Sequence, residues 1–419
     1  FFAVIVSALR SAPPNVLLLS FYFALPMLFG DMALTLFQVD MNRIDSIWYV
    51  VLAYSFINSA FFSELIRASL SGVDHNQMEA GLAMGMTGFQ TFRRIVVPQA
   101  MVIAIPELGN ILINIVKNTS LAYIIGVIDI MGAVSIVSVE TFHNLEAYVD
   151  VAAIYLAVSF VIECMPVEKM CLQVKEWGIT VNFRFDWAFA WKVFWICLQY
   201  VPLCIVVAAV SVCIGLVLGI LLAAARRSRY RVINVMTDIY VHLIRGTPQI
   251  LLLLIVYLVI KTNFNNLAKY YNWGVNASVI SPVLIAVIAL SLSASAYLSG
   301  TVSTALNSID DGQRDAALAC GMDRVTSFYR IILPQAIPVA MPLIGSQFII
   351  MIRATSLIGY IGVVDIVAAG KIASTISSNI LEAYAAETLI YWGLTFLLET
   401  VFSFFTNKIC WSYKGEMAS

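Results

Sequence analysis

A polar segment occurs twice in this chain, 236 positions apart, between long apolar stretches. In both places an Asp is followed by a Gln, an Ala and Leu-Ala-x-Gly-Met, and then by Phe-x-Arg-Ile-x-x-Pro-Gln-Ala. Because the register holds from Asp74 and Asp310 as far as Asp129 and Asp365, the similarity is a structural repeat and not a chance motif. The chain is therefore expected to contain two copies of one fold.

The composition of the chain indicates an integral membrane protein. Hydrophobic residues make up 61% of the sequence and charged residues only 12%, against about 25% charged in soluble domains, and the mean hydropathy is +0.90. The net charge of −1 predicts no nucleic-acid partner, because such partners require a basic face. The seven cysteines lack the paired spacing of zinc sites or disulfide frameworks, and the three histidines lie far apart, so no metal site is expected.

Apolar runs long enough to cross about 30 Å of hydrocarbon predict an all-α transmembrane fold of two helical bundles. Residues 1–164 are assigned to copy one, residues 186–419 to copy two, and residues 165–185 to a junction or chain break. Copy one is expected to lack the counterpart of the first helix of copy two, which would fall before Phe1. The predicted spans are 13–36, 46–68, 101–117 and 148–166 in copy one, and 193–225, about 240–261, 279–305, 336–353 and 385–406 in copy two.

Arginine and lysine residues predict which ends of the spans face the cytosol. In copy two they lie between the first two spans, in the repeated polar loop and after the last span. Arg93 and Arg94 orient copy one in the same way. Both polar loops are therefore expected on the cytosolic side.

The number of spans between the two loops conflicts with this shared orientation. A continuous chain would cross the membrane five times between them and would put them on opposite faces. Residues 165–190 hold no apolar run that could supply a sixth crossing. One hypothesis is that two polypeptides are placed end to end, with a break between about 165 and 185. The alternative is a native fusion with opposed halves, as in the inverted repeats of some secondary carriers.

The repeated loops resemble those of ABC-importer permeases. The pattern Gln-x-Glu-Ala-Gly-x-x-x-Gly in copy one and Gln-x-Asp-Ala-Ala-x-x-x-Gly in copy two, each followed by Ile and Pro, is similar to the EAA loop of that family. Three further motifs are similar to those of the polar amino-acid uptake group. They are Arg-Gly-Thr-Pro at 245–248, which is placed inside the second span of copy two, the less similar Arg-Ser-Ala-Pro at 10–13, and Lys-Asn-Thr-Ser-Leu at 117–121. Departures from the family pattern are Gly81, Asp315, Ser11-Ala12 and Arg353-Ala354.

This resemblance implies a type I importer fold in which the two copies pair around a translocation pathway in a bacterial inner or cytoplasmic membrane. It implies cytosolic ATP-binding subunits that carry ATP and magnesium, and an extracytoplasmic solute-binding protein that delivers an amino acid. The Gly370-Lys371 pair lacks the glycine spacing of a phosphate-binding loop, so ATP is expected to be hydrolysed on partner subunits. The residues implied in ATPase coupling are Gln77, Glu79, Ala80, Gly81, Gly85 and Pro98 in copy one, and Gln313, Asp315, Ala316, Ala317, Gly321 and Pro334 in copy two.

The residue types of the loops agree with a helix–turn–helix. Ala, Leu and Met favour a short helix, and Gly85 and Gly321 stand where a helix C-terminus requires a positive φ. Pro98 and Pro334 can each begin the next membrane helix without the loss of a hydrogen bond. Such a unit can dock as a rigid lever on a soluble ATPase, and the alternative is a plain cytoplasmic connector without a partner.

A row of polar residues on one predicted helix suggests a substrate path. Glu107, Asn110, Asn114 and Lys117 share a narrow arc, and a charge at bilayer depth costs at least about 2.5 kcal/mol, so Glu107 is not expected to face lipid. An acid for an ammonium group and a cation in each copy for a carboxylate would suit a zwitterionic amino acid. Alternatively, these residues tie helices together or extend to the interface. The candidate path residues are Glu107, Asn110, Asn114, Lys117, Thr119, Ser120, Ser346, Arg353, Thr355 and Ser356.

Two other functions remain open from the residues alone. A secondary carrier or channel that works without ATP would need opposed loops and mid-membrane carboxylates, for which Glu107 is a candidate. A degenerate membrane scaffold would explain the departures from the family pattern. No Ser-His-Asp or Cys-His arrangement indicates an enzyme active site. Glu64 and Arg67 are predicted to form an ion pair at i,i+3 that copy two, with Gly300 and Ser303, lacks.

Overall fold

The computed structural model describes residues 2–37, 41–141, 144–164, 186–375 and 379–417. Within these ranges the regular structure is helical throughout, without a β-strand. The chain divides into two compact units, residues 1–142 with 150–186 and residues 143–149 with 187–419. The predicted junction at 165–185 lies outside the described residues.

The eight helices described in copy one recur in the same order as the last eight helices of copy two, which begins with two further helices. In copy one they are α1 (Phe2–Ser11), α2 (Pro14–Phe37), α3 (Ser46–Ser71), α4 (His75–Ala83), α5 (Gly88–Thr91), α6 (Val97–Thr119), α7 (Ile130–Thr141) and α8 (Asn144–Cys164). In copy two they are α9 (Trp187–Leu198), α10 (Val201–Arg226), α11 (Arg231–Gly246), α12 (Gln249–Tyr270), α13 (Pro282–Asn307), α14 (Asp311–Ala319), α15 (Arg324–Ser327), α16 (Leu333–Ala354), α17 (Ile366–Thr375) and α18 (Ile380–Met417).

The described residues contain seven helical segments that are long and apolar enough to cross a membrane. This confirms the prediction of an all-α, multi-pass membrane protein. Shorter apolar helices occupy Pro14–Gly30 and Trp187–Leu198, and the predicted last span lies within α18. The seven segments are Ser46–Ser71, Glu107–Ile125, Asn144–Ile162, Val201–Arg226, Gln249–Tyr270, Pro282–Asn307 and Arg324–Ile361.

The first predicted span of copy two, 193–225, is wrong as a single helix. The structure ends α9 at Leu198 and begins α10 at Val201. Pro202 stands in the first turn of α10, where its missing N–H removes no helical hydrogen bond. The apolar run therefore contains a break between two helices, and Pro202 is compatible with a helix that begins there.

The second predicted span, about 240–261, is also wrong, because the chain breaks at 247–248. Thr247 is extended, with φ −85° and ψ 132°, which is the conformation that a following proline favours. Its hydroxyl donates to the carbonyl oxygen of Leu243 at 2.8 Å and so closes the end of α11. The segment 245–248 therefore lies between two helices and not inside a span.

Small residues allow α10 and α13 to pack closely in the second unit. A Cβ atom added to Gly215 would lie 2.6 Å from the Cβ of Ala294, and one added to Gly219 would lie 3.0 Å from the backbone nitrogen of Ser299. Two glycines four residues apart, facing Ala and Ser, form the small-xxx-small pattern by which membrane helices approach one another. Within a membrane this packing depends on van der Waals contact, because lipid tails are as apolar as the side chains and leave no hydrophobic driving force between helices.

An arginine near the end of α1 in copy one and near the end of α11 in copy two stacks on an aromatic ring. The guanidinium of Arg10 lies 5.8 Å from the ring centre of Phe61, and that of Arg245 lies 5.2 Å from the ring centre of Tyr297. Cation–π contacts of this kind are worth about 0.5–2 kcal/mol each. The equivalent stacking supports the weak sequence similarity between residues 10–13 and 245–248.

The predicted ion pair in copy one is confirmed. Nε of Arg67 donates to Oε2 of Glu64 at 3.0 Å, and Arg10 lies 3.9 Å from the same carboxylate. In copy two the equivalent position is Gly300, and a Cβ there would lie 2.5 Å from Nη2 of Arg245. The glycine therefore gives the arginine the space that the carboxylate occupies in copy one.

We expect the substitution Gly215→Val to destabilise the second unit by about 2 kcal/mol, because overpacking typically costs about 1–3 kcal/mol. The measurement is the free energy of unfolding of the purified chain in detergent. Gly393→Val is the matched control, since a Cβ at Gly393 meets no atom within 4 Å. Equal loss of stability in both variants would contradict close packing of α10 on α13.

Candidate functional site

The first polar loop folds as a short helix, a tight turn and a second short helix. The carboxylate of Asp74 caps α4 by accepting from the N–H of Asn76 at 3.0 Å. Beyond the helix Gly85 adopts φ +83°, and the N–H of Met86 donates to the carbonyl oxygen of Gly81 at 3.2 Å. This closure at a left-handed glycine is the usual termination of an α-helix.

The second polar loop repeats this geometry. Asp310 accepts from the N–H of Gly312 at 2.7 Å, Gly321 adopts φ +82°, and the N–H of Met322 donates to Ala317 at 3.1 Å. The prediction of a positive φ is thus confirmed for Gly85 and for Gly321. A side chain at either position would strain the turn, because L-residues rarely adopt this conformation.

The second short helices carry different caps at the same position. Thr87 and Gln90 form a reciprocal capping box at the start of α5. In copy two Asp323 accepts from the N–H groups of Val325 and Thr326 and from the hydroxyl of Thr326, and these hydrogen bonds from Thr326 lower the pKa of Asp323. One backbone arrangement is therefore supported by two unrelated sets of side chains.

A π-helical turn connects each loop to the membrane helix that follows it. These turns are Phe92–Val96 and Phe328–Ile332, and α6 and α16 then begin at Val97 and Leu333. Pro98 and Pro334 lie in the first turn of these helices, as predicted. The π turns were not predicted, because the sequence carries no simple signal for them.

The predicted coupling residues divide between an exposed and a buried face of each loop. Gln77, Glu79 and Ala80 are exposed, as are their counterparts Gln313, Asp315 and Ala316, whereas Gly81 and Ala317 are buried. Gly85, Pro98 and Gly321 are exposed and Pro334 is half-buried. The exposed face is polar, and the buried face packs on the second short helix.

The buried face of each loop shows a compensating exchange between the copies. A Cβ added to Gly81 would lie 2.4 Å from Cγ2 of Thr91. Copy two has Ala317 at the first position and the smaller Ser327 at the second, and Ala317 is only 6% exposed. The space between the two short helices is thus filled by the methyl group of Thr91, on the second helix, in copy one, and by the methyl group of Ala317, on the first helix, in copy two.

Large apolar side chains surround the exposed face of both loops. Met84 is 81% exposed and Phe89 is 72% exposed in copy one, and Val325 and Tyr329 are 62% and 63% exposed in copy two. Met84 and Phe89 lie in the polar connection of copy one, outside the segments long enough to cross a membrane, whereas Val325 and Tyr329 lie at the start of the segment Arg324–Ile361 in copy two. Apolar side chains with polar neighbours are typical of a protein docking surface.

A side-chain contact joins the first loop to its membrane helix. Nε2 of Gln99, in the first turn of α6, donates to the carbonyl oxygen of Ile95 at 3.0 Å and lies 3.4 Å from Oε1 of Gln77. In copy two Gln335 makes the equivalent bond to Ile331 at 2.9 Å. The glutamine that follows each proline therefore holds the π turn against the next helix.

The predicted substrate-path residues fall into two groups. Glu107, Asn110, Asn114 and Ser346 are exposed on α6 and α16, and Nδ2 of Asn110 donates to Oε2 of Glu107 at 3.1 Å. Lys117 and Arg353 are half-buried near the ends of the same helices. Of the predicted row on α6, the structure therefore brings the side chains of Glu107 and Asn110 into contact with each other.

The hydroxyl groups of the predicted path donate to the backbone of their own helices. Thr119 donates to Val116 at 2.7 Å, Thr355 to Ile352 at 2.6 Å and Ser356 to Arg353 at 2.7 Å, and Ser120 donates to Lys117. Ser120, Thr355 and Ser356 are also buried. Their hydrogen atoms are engaged in helix termination, and their role in a substrate path stays a prediction.

A buried carboxyl group in copy two was missed in the sequence. Glu387 is fully buried, and neither of its carboxyl oxygens has a hydrogen-bond partner. A Cβ at Gly370 would lie 1.9 Å from Oε1 of Glu387, and copy one has Val134 and Val151 at these two positions. The sequence signal that could have revealed this group is the alignment of Glu387 in the last span of copy two with Val151 in copy one.

We expect Gly81→Ala to reduce the stability of the first unit, because the added methyl collides with Thr91. The added change Thr91→Ser, which reproduces the pair found in copy two, should restore stability to within about 0.5 kcal/mol, since neighbouring substitutions couple strongly. The measurement is a double-mutant cycle on the free energy of unfolding in detergent. Additive effects of the two substitutions would contradict this contact.

Comparison with known proteins identifies the family. The family of binding-protein-dependent transport system inner membrane components matches residues 1–165 and 215–409. The Bacillus subtilis (strain 168) protein named "Probable amino-acid permease protein YxeN" is 30% identical over 229 residues, which is 55% of this chain and 98% of that protein. The glutamine transport system permease protein GlnP of Escherichia coli (strain K12) is 28% identical over 218 residues, covering 52% and 94%.

A solved structure of similar extent is the crystal structure of an amino acid ABC transporter with histidines. It is 25% identical, covers 54% of this chain and 100% of that chain, and has a TM-score of 0.46. Each of these three matches spans about half of the present chain and nearly all of the related one. Two family matches, one in each copy, establish that the chain belongs to the binding-protein-dependent transport system inner membrane components.

Proposed function

We propose that this chain forms the translocation pathway of an ATP-driven importer of polar amino acids in a bacterial inner or cytoplasmic membrane. The family and the names of the relatives support transport, and GlnP in particular is named for glutamine. The observation that carries the proposal is the repeated loop, which presents the same rigid geometry with an exposed polar face in both copies. A secondary carrier has no use for two such loops.

The partners at the loops are cytosolic ATP-binding subunits, which hold ATP and magnesium. Glu79 and Asp315 offer an exposed carboxylate at equivalent positions, and Met84, Phe89 and Tyr329 offer exposed apolar surface beside them. A polar contact surrounded by aromatic and Met side chains has the composition of a protein interface. The loops are therefore suited to bind a soluble protein.

The connection from loop to membrane helix supports mechanical coupling. The capped short helices and the turn at a left-handed glycine leave little freedom within each loop, and the π turns continue directly into α6 and α16. A displacement of the loop is thus transmitted to the helix that carries the substrate-path residues. Rocking of these helices would alternate the access of the path between the two sides.

The substrate is a zwitterionic amino acid delivered by an extracytoplasmic solute-binding protein. Glu107 with Asn110 supplies an acceptor for an ammonium group, and Lys117 and Arg353 supply cations for a carboxylate. Thr119, Ser120, Thr355 and Ser356 already donate to backbone carbonyls, so they shape the helix ends and do not donate to the substrate. The path forms when the two copies pair with each other.

Charge reversal in the loops tests the coupling. We expect Glu79→Arg and Asp315→Arg together to lower amino-acid-stimulated ATP hydrolysis and glutamine uptake by about tenfold or more, because like charges across a protein contact are strongly unfavourable. Uptake and hydrolysis are measured in vesicles that contain the chain with its ATP-binding and solute-binding partners. The control is Lys269→Glu, an exposed charge reversal at the far end of α12. Unchanged hydrolysis in the double variant would refute the role of the loops.

The sidedness of the loops tests the orientation. Single cysteines replace Gln77 or Gln313 in an otherwise cysteine-free chain, because the native Cys320 is exposed within the second loop. Both sites should resist a membrane-impermeant thiol reagent until the cells are opened, and Val275→Cys, between α12 and α13, should react in intact cells. Labelling of just one loop in intact cells would indicate opposed halves and a carrier mechanism.

A further inference from the structure

A cavity of about 570 Å³ lies beside the second polar loop. Its wall is formed by the C-terminal ends of α10 and α13 and by residues of α14 and α15, all within the second unit. Cavities of about 300–1,000 Å³ are the size that holds small ligands in proteins. The cavity is therefore large enough for a small ligand, and it adjoins the exposed face of the loop through Arg314.

Three arginines line the cavity. Arg227 donates a hydrogen bond to Asn307, and neither Arg314 nor Arg324 has a carboxylate at ion-pair distance in the described ranges. Asp310 and Asp311 also line it, but Asp310 is engaged as the cap of α14. Three guanidinium groups against two carboxylates leave a positive excess that favours an anion.

A buried hydroxyl group in the wall lacks a hydrogen-bond partner. Ser327 is 1% exposed, its Oγ makes no hydrogen bond, and it lines the same cavity. An unsatisfied buried polar atom is costly, and native structures contain few of them. An oxygen of a bound ligand would provide the missing acceptor.

Copy one lacks these features at the equivalent positions. Met78 and Gly88 stand where copy two has Arg314 and Arg324. The hydroxyl of Thr91, the counterpart of Ser327, donates to the carbonyl oxygen of Thr87 at 3.1 Å. The arginines and the unsatisfied hydroxyl thus occur together in one copy, which is expected of a binding site and not of a feature required by the shared fold.

We propose that this cavity binds a phosphate-bearing anion, either the headgroup of an anionic phospholipid or free phosphate. Guanidinium groups match the geometry of phosphate oxygens and form charge-assisted hydrogen bonds with them. The C-terminal ends of the membrane helices α10 and α13 place the cavity where headgroups are found, and apolar Leu306 and Phe328 complete its wall. This proposal goes beyond the transport function and does not depend on it.

The test measures binding of two probes to the purified full chain in detergent by calorimetry. The probes are inorganic phosphate and short-chain phosphatidylglycerol, with phosphatidylcholine as the zwitterionic reference. The variant Arg314→Gln with Arg324→Gln should weaken binding by about tenfold or more, since charge-assisted hydrogen bonds are the strong ones. The matched control is Arg330→Gln, an exposed arginine of the same connection that does not line the cavity, and it should bind within about twofold of the unaltered chain.

The pattern of binding distinguishes the source of the phosphate group. Competition of inorganic phosphate with phosphatidylglycerol supports a site for the phosphate group itself, and tight binding of phosphatidylglycerol alone supports a headgroup site. Ser327→Ala should weaken either probe by about threefold without lowering the unfolding temperature, because the removed hydroxyl makes no hydrogen bond within the protein. This result separates ligand contact from a loss of folding.

Several results would overturn the proposal. One is that neither probe binds the unaltered chain, and another is that phosphatidylcholine binds as well as phosphatidylglycerol. A loss of binding in Arg330→Gln equal to that in the double variant would indicate general charge attraction and not a specific site. If the double variant binds both probes normally but no longer binds the ATP-binding subunits, the cavity serves a protein carboxylate instead.

Discussion

The helical backbone continues from each polar loop through a π turn into its membrane helix, and the proposed mechanism depends on this continuity. The N–H of Val97 donates to Phe92 and that of Leu333 donates to Phe328, each across a π turn. A proline in the middle of such a path would remove a bond and kink the helix. Here Pro98 and Pro334 stand in the first turn of the membrane helix, directly after the π turn, but α16 also contains Pro338 and Pro342 in its interior. A stiff connection is therefore expected at the junction of loop and helix and not along the whole of α16.

The two copies share a backbone but not the side chains that support it. Thr87 with Gln90 and Asp323 with Thr326 cap equivalent helices, and a carboxylate beside Arg10 is matched by a glycine beside Arg245. In copy two Gly370 makes room for a buried Glu387 where copy one has two valines. Asymmetry is found at the cavity beside the second polar loop and in the last span, which are therefore the places where the copies are expected to differ in ligands.

The sequence was most informative where one residue type is required by geometry. Gly85 and Gly321 at left-handed turns, Pro98 and Pro334 at helix starts, and the Glu64–Arg67 pair were all predictable, because few alternatives satisfy those constraints. The helix break at Thr247–Pro248 was missed, because the predicted span was placed across Arg-Gly-Thr-Pro at 245–248 on the strength of the apolar residues on either side, although Gly and Pro are themselves signals of a helix end. The π turns and the buried Glu387 depend on tertiary contacts, and the internal hydrogen bonds of the Thr-Ser pairs could not be read from residue type.

The matched sizes of Gly81 with Thr91 and of Ala317 with Ser327 also restrict how the two halves can exchange sequence. A gene-conversion tract with an end point between these positions would join Ala to Thr, which collide, or Gly to Ser, which leave a void. A tract that replaces both positions together keeps a matched pair and has neither the collision nor the void. The repeated halves can thus differ in the polar loop while their shared backbone is retained, because mixed pairs of these side chains carry a packing cost.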